Sequence, residues 1–213
     1  PLPVDGQGMR PDVLASSGAA AALVTPSHQF PLGTTMPLAR RTQLLRWAAE
    51  GEERWLLEDD YDSEFRYSSR PIPAVQGLDK LGRVVYLGTF SRSIAPSIRV
   101  AYLILPVPLL ERYYRIFPRA ASTVSRFEQE ALRRFLVQGQ YAAHLRRMNN
   151  LYRRRRALVI QALEQAFPDA VISGADAGLH FLFTLPGRSE SELRTAAAVH
   201  GVGLPGLSAY CRG

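Results

Sequence analysis

The sequence predicts a layered α/β fold built on a largely parallel sheet. Three observations carry that expectation. Short apolar runs recur at AALVT (21–25), WLLE (55–58), VVYLG (84–88) and VAYLIL (100–105), with helix-length or loop-length connections between them. The first three runs each end in a polar cluster: PSHQFP, DDYDSEF and TFSRS. Open α/β sheets bind ligands beyond the carboxyl ends of their strands, so three such clusters predict a shared site.

Between the first two strands, PSHQFPLGTTMP is a turn segment with three prolines and one glycine. The pattern LARRTQLLRWAAE from Leu38 then predicts an amphipathic helix, with Leu38, Leu44, Leu45, Trp47 and Ala48 as its apolar positions. After the fourth strand the chain changes character. Ser125 and Glu128 form an S-x-x-E capping box ahead of a helix carrying Phe127, Ala131, Phe135 and Leu136, which stops near Gly139. A longer helix is expected over 141–167, with Leu145, Met148, Leu151, Tyr152, Leu158 and Ala162 as its stripe. LHFLFTLP (179–186) reads as a strand, and SESELRTAAAVHG (189–201) as a helix with Gly201 as its stop. The expected boundary lies near residue 140, dividing the chain into 1–139 and 140–213. The chain reads as a fragment of a longer protein.

Composition narrows the class. The chain has 213 residues, enough to bury a core, with 46% hydrophobic and 21% charged residues. No apolar run reaches the ~18 residues of a membrane span, and the amino terminus lacks the basic-then-apolar pattern of a secretory signal. The single cysteine, Cys211, cannot make an internal disulfide, which fits a reducing cytoplasm. The formal net charge is +7. That is compatible with a polyanionic partner, but the arginines are spread along the chain, which favours a merely basic half of a larger protein. Lys80 is the sole lysine, so amine chemistry is nearly absent.

The clusters admit more than one chemistry. Asp59, Asp60, Asp62 and Glu64 fall within six residues. They could serve a divalent cation, hold a proton on a heterocyclic nitrogen, or form a solvated loop; the glycine and distal glutamate of a calcium loop are missing. GTFSRSIAPSIR has the hydroxyls and guanidiniums of an anion cradle, without the lysine of a phosphate-binding P-loop. Its other reading is a polar loop whose arginines pair with the acidic cluster. RRRR (153–156) sweeps about 300° of a helix, which puts Arg155 near the apolar stripe and reads as a solvated face. His28 sits in a turn where it could do chemistry, whereas His144, His180 and His200 show no ligand-like spacing.

In order along the chain, TPSHQFPLGTTMPLARRTQLLRWA, LLEDDYDSEFRY, VVYLGTFSRSIAPSIRVAYLILP and DAGLHFLF resemble the aminotransferase-like domain of MocR/GabR-type regulators of the GntR family. The resemblance implies a fold-type-I domain that binds pyridoxal 5′-phosphate. Residues 1–139 would be the second half of its large domain, and 140–213 a linking helix with an incomplete small domain. By the same resemblance, Asp59 pairs with the pyridinium nitrogen, Tyr61 lies near the ring hydroxyl, and Thr89, Ser91 and Arg99 surround the phosphate. Phe30 falls about where aminotransferases place a cofactor-contacting asparagine. Arg92 occupies the position of the Schiff-base lysine. A guanidinium stays protonated and is a poor nucleophile, so the cofactor is expected to be held noncovalently at most. The implied parent is a cytoplasmic homodimer that binds DNA through an N-terminal winged helix and responds to an amine or amino-acid effector. The alternatives are a class I/II transaminase, which the missing lysine disfavours, and a degenerate relic without catalysis.

Overall fold

The computed structural model describes residues 1–68, 71–119 and 122–210. Cys211 and the reading attached to it lie outside the described residues.

A two-stranded antiparallel ribbon, β1 (Val4–Asp5) and β2 (Gly8–Met9), leads into the short helix α1 (Pro11–Ser16). The main sheet has four strands in sequence order: β3 (Ala21–Val24), β4 (Trp55–Asp60), β5 (Val84–Thr89) and β6 (Ala101–Ile104). The pairs β3–β4 and β4–β5 are parallel, but β6 runs antiparallel to β5. The reason is the connection. Residues 90–100 contain only the 3₁₀ turn Pro96–Ile98, too little chain for the crossover that a parallel return requires.

Helices α2 (Leu38–Ala49) and α3 (Val75–Leu78) cover one face of this sheet. Leu14, Ala22, Val24, Met36, Leu44, Trp47, Ala48, Leu56, Val75 and Val84 make the core there. The expected stripe of α2 holds at Leu44, Trp47 and Ala48, but Leu38 is half exposed and Arg41 takes its place inside. Arg41 lies three residues before Leu44, on the same face. Its fully buried guanidinium donates from Nε to the Met36 carbonyl (3.0 Å), from Nη1 to Pro73 (2.8 Å) and from Nη2 to Pro26 (2.9 Å). Nearby, Glu58 accepts the free N–H groups of Val75 and Gln76 at the start of α3, at 2.9 and 2.8 Å. These two charges fasten the loops around the sheet.

The opposite face is covered only in part: Val85, which the register puts there, is buried. Strand alternation puts Leu23, Leu57, Asp59, Leu87, Thr89 and Leu103 on it. Leu23 is 58% exposed and Leu103 46%. On the covered face, Gly88 lies opposite Tyr102, and a Cβ there would fall 2.3 Å from the tyrosine ring. Any side chain would push the phenol out of the sheet, so the apolar run of β5 ends in glycine.

Helix α4 (Val107–Ile116) follows β6 and was not foreseen from the pattern. Helix α5 (Arg126–Val137) starts at Ser125, whose hydroxyl accepts from the Phe127 N–H; the reciprocal Glu128 half of the expected box is not formed. Gly139, in the left-handed region, leads into the long helix α6 (Gln140–Ala166). Of its expected stripe, Leu151, Leu158 and Ala162 are exposed, so the stripe is only partly used. Within RRRR it is Arg156, not Arg155, that turns inward, stacking on Tyr67 at 5.2 Å. Strands β7 (Val171–Ser173) and β8 (Leu182–Thr184) form an antiparallel pair before α7 (Glu190–Val199). Here the capping box is complete, between Ser189 and Glu192.

The expected strand 179–186 shrinks to three residues because its start is used elsewhere. Segment 174–180 is stitched to the chain beyond β4. The Gly178 N–H donates to the Phe65 carbonyl (2.8 Å), and the Tyr67 N–H to Asp176 (3.1 Å). The Tyr67 hydroxyl donates to Gly178 (2.9 Å).

Candidate functional site

The carboxyl ends of β3, β4 and β5 lie side by side, because the three strands are parallel and adjacent. The turn after β3 doubles back on itself: the Phe30 N–H donates to Thr25 Oγ1 (3.2 Å), and the Gly33 N–H to the Gln29 carbonyl (2.6 Å). The Phe30–Pro31 peptide is cis. Tyr61, just past β4, crosses to this turn and donates its hydroxyl to the His28 carbonyl at 2.8 Å. The first two clusters are therefore in direct contact.

Asp59 and Asp60, expected on a loop, are the last residues of β4 and so point to opposite faces. Asp59 stands on the partly covered face, half-buried, and among the described residues its carboxylate meets no hydrogen-bond donor. Burial pushes its carboxyl above the ordinary value, and the neighbouring Asp60 and Asp62 add to this. Asp60 accepts from Tyr86 (2.6 Å) and Ser63 (2.7 Å) on the covered face. Glu64 accepts from Tyr141 (3.2 Å), and burial raises its carboxyl too. The four acids thus go four ways. They do not converge as a cation site, nor do they form a solvated loop.

Burial pushes the Tyr61 phenol far above its usual range. The Asp62 and Asp59 carboxylates add to this, and the Arg92 charge opposes them. Arg92 therefore lies within electrostatic reach of the acidic cluster. Thr89 ends β5 on the same face as Asp59; its hydroxyl donates to Val100 (3.2 Å) and accepts the Ser91 N–H (3.1 Å). That knot turns the chain sharply after the strand and presents Ser91 and Arg92 outward. Arg99 sits just before β6 with φ 49°, closing the 3₁₀ turn in a left-handed conformation. Because β6 is antiparallel, its start lies at the same end of the sheet as the ends of β4 and β5. All six expected site residues, Asp59, Tyr61, Thr89, Ser91, Arg92 and Arg99, are brought to this one end. Among the described residues neither Arg92 nor Arg99 has a carboxylate within ion-pair distance, so the reading in which they neutralise the acidic cluster does not hold.

Helix α6 holds this turn from behind. The Tyr141 hydroxyl, whose hydrogen goes to Glu64, lies 3.0 Å from Ser93 Oγ, and His144 Nε2 meets the Ser93 carbonyl at 2.8 Å. Ser93 is fully buried. His144 is thus an anchor for the turn.

The residues fit pyridoxal 5′-phosphate in part. A carboxylate without a donor suits a protonated ring nitrogen, and Ser91 with two arginines suits a phosphate. Two positions do not fit. Arg92 offers no neutral amine, and the Tyr61 hydroxyl is spent on a backbone carbonyl. Phe30 packs edge-on to Tyr61 (6.3 Å) and Tyr210 (4.9 Å), and offers no polar contact of its own.

One cluster was not legible in the spacing. His28 Nδ1 lies 2.9 Å from Asp62 Oδ2, and His28 Nε2 lies 3.2 Å from the Gly174 carbonyl. The Leu179 N–H donates to the same Asp62 oxygen (3.1 Å). The His180 ring stacks 4.2 Å from His28, and its Nε2 meets the Pro31 carbonyl at 3.1 Å. Burial, with His28 beside it, pulls His180 below the usual imidazole value. Potential metal-ligating atoms of His28, Asp62 and His180 fall within 4.8 Å of one another. Both His28 nitrogens are already committed to hydrogen bonds. The signal for this cluster lay in the juxtaposition of PSHQ, DYD and GLH, which neither a fixed spacing nor a periodicity links. A cavity of ≈ 190 Å³ adjoins this cluster between α6 and residues 175–181, lined by Tyr67, Tyr152, Arg155, Arg156 and His180. It does not include the six expected residues.

No helix among the described residues is long and apolar enough to cross a membrane. The family profile for aminotransferase class I and II matches residues 4–204. The chain is 44% identical over 205 residues to the uncharacterized HTH-type transcriptional regulator YdeL of Bacillus subtilis, covering 95% of this chain and 44% of that protein. It is 37% identical over 210 residues to the probable rhizopine catabolism regulatory protein MocR of Rhizobium meliloti, covering 98% of this chain and 42% of that one. The chain thus spans less than half the length of these relatives. Among solved structures, the multiple substrate aminotransferase of Thermococcus profundus superposes with a TM-score of 0.81 at 29% identity, covering 95% of this chain and 53% of that chain. With the mixed sheet and the matched span in agreement, the chain belongs to the aminotransferase class I and II family, in the form found in MocR-type transcription regulators.

Proposed function

We propose that this chain is part of the effector-sensing domain of a bacterial transcription regulator, and that it grips pyridoxal 5′-phosphate without a covalent link. The observation that carries the reading is Asp59, a half-buried carboxylate with no donor among the described residues, at the sheet end that also bears Ser91, Arg92 and Arg99. In this reading Asp59 holds the ring nitrogen, and Thr89, Ser91 and Arg99 hold the phosphate. Arg92 adds a second cation where the family has its lysine. When bound, the cofactor supplies an aldehyde and an electron-withdrawing ring. Arg92 orients the phosphate and cannot capture that aldehyde.

Residues 1–139 would belong to the large domain and 140–213 to a linking helix and small domain. The whole regulator would be a cytoplasmic homodimer. It would contact DNA through a winged helix outside this chain and respond to an amine or amino acid.

The test is equilibrium dialysis of the chain against pyridoxal 5′-phosphate, with absorbance spectra of the wild type and Arg92→Lys. The wild type should retain cofactor without a new long-wavelength band, and Arg92→Lys should gain one. Loss of retention in Asp59→Ala supports the assigned grip. A band in the wild type, or equal retention by Asp59→Ala, overturns it.

A further inference from the structure

We propose that the His28 imidazole is the joint that passes the state of Tyr61, on the wall of the candidate cofactor site, to the C-terminal segment 174–180. The proposal deepens the reading above, since it matters for sensing only if Tyr61 faces a bound ring.

The argument is one of hydrogen-bond accounting. His28 is buried, as is Asp62. The Nε2 atom faces a carbonyl oxygen, that of Gly174 (3.2 Å), and a carbonyl can only accept. The Nδ1 atom faces the carboxylate of Asp62 (2.9 Å), and the Tyr61 hydroxyl oxygen lies 3.4 Å away. That hydroxyl already spends its hydrogen on the His28 carbonyl (2.8 Å). Nε2 therefore carries a hydrogen, and Nδ1 shares one with Asp62. In that form the ring bridges three parts of the chain: the turn after β3, the end of β4, and residue 174, which lies 146 positions further on.

The far side of the joint is equally tight. The same Asp62 oxygen accepts the Leu179 N–H (3.1 Å). Gly178 sits between the two, with φ +71°; a Cβ there would lie 1.9 Å from His28 Nδ1 and 2.5 Å from Asp62 Oδ2. His180 closes the stack at 4.2 Å and donates away from it, to Pro31. The other charges acting on this group are Arg92, whose charge reaches both Tyr61 and His180, and Asp59 and Asp60, which reach Tyr61. A shift of the Tyr61 phenol therefore moves the His28 backbone and ring. The ring cannot move without releasing Asp62 or Gly174, and Asp62 cannot move without releasing Leu179.

A double-mutant cycle read by amide hydrogen exchange, with no cofactor present, tests this. Tyr61→Phe should speed exchange at Leu179 by about tenfold, the effect of losing one buried hydrogen bond. In a His28→Phe background the same substitution should change it by less than about twofold. Equal effects in the two backgrounds refute the joint. Should His28→Phe fail to fold, the wild type decides alone. Long-range ¹H–¹⁵N spectra should show a hydrogen on His28 Nε2, the nitrogen that faces the Gly174 carbonyl, whereas a bare Nε2 overturns the accounting. Because neither arm contains pyridoxal 5′-phosphate, failure here leaves the dialysis result standing, and the reverse also holds.

Discussion

Replacing Arg41 by methionine should cost this chain about 4 kcal/mol of folding stability. The side chain is fully buried, and its guanidinium supplies the donors for the carbonyls of Pro26, Met36 and Pro73. Methionine fills much of the same volume and donates nothing. Each buried carbonyl left unpaired costs about 1–3 kcal/mol, so three give roughly 3–9 kcal/mol. Methionine also spares the chain the expense of desolvating a guanidinium, which places the net near the lower end. Breaking a buried ionic contact by removing one partner falls in a similar range, about 3–5 kcal/mol; here the partner in reach is Glu58. Urea titration followed by far-UV circular dichroism measures the loss. With a slope of about 2 kcal/mol per molar urea, the midpoint should fall by about 2 M. A fall below about 0.5 M would mean that water replaces the guanidinium without cost, and the account of Arg41 as the fastener of three loops would be refuted.

Three further outcomes follow from the same structure. Gly178→Ala should unfold the 174–180 contact, because φ +71° strains any L side chain and the new methyl collides with His28 and Asp62. Exchange protection at Leu179 should vanish, and an unchanged Leu179 would refute the close approach. Glu58, Asp59 and Glu64 all have carboxyls raised by burial. The folded state therefore binds more protons than the unfolded state between the ordinary carboxylate range and the raised values, so stability should fall as pH rises through that window. Asp59→Asn should raise the urea midpoint near neutrality and flatten that slope; an unaltered profile would show that Asp59 is as well solvated folded as unfolded. Gly88→Ala should displace the Tyr102 ring and weaken the β5–β6 edge, visible as lost protection at Ala101–Ile104, and retained protection would count against the steric argument.

Much of this architecture could be read from the residues. The four main strands appear in sequence because β-branched and leucine-rich runs end abruptly at polar clusters; α2 and α6 appear through periodicity, and α5 and α7 through their serine caps as well. The antiparallel return of β6 was not legible as such: its apolar run looks like the others, and only the absence of a helix in 90–100 sets its direction. Arg41 was invisible for a related reason. A charge on a helix reads as solvent-facing unless its acceptors are known, and Pro26, Met36 and Pro73 are backbone carbonyls that leave no mark in a sequence. The site divides along the same line. Asp59, Tyr61, Thr89, Ser91, Arg92 and Arg99 lie in two compact stretches at strand ends, onto which the family resemblance can be read residue by residue. The contact of His28 and Asp62 with Gly174 and Leu179 depends on a chain reversal more than a hundred residues long. No spacing rule reaches that far.

The partly covered side of the main sheet has a practical consequence at the bench. Both outer strands, β3 and β6, still carry a row of N–H and C=O groups that no other strand among the described residues claims, and Leu23 and Leu103 stand out on them. In concentrated solution such borders recruit further strands from other copies, so turbidity should grow with time and protein concentration, and arginine or a fused solubility partner should delay it.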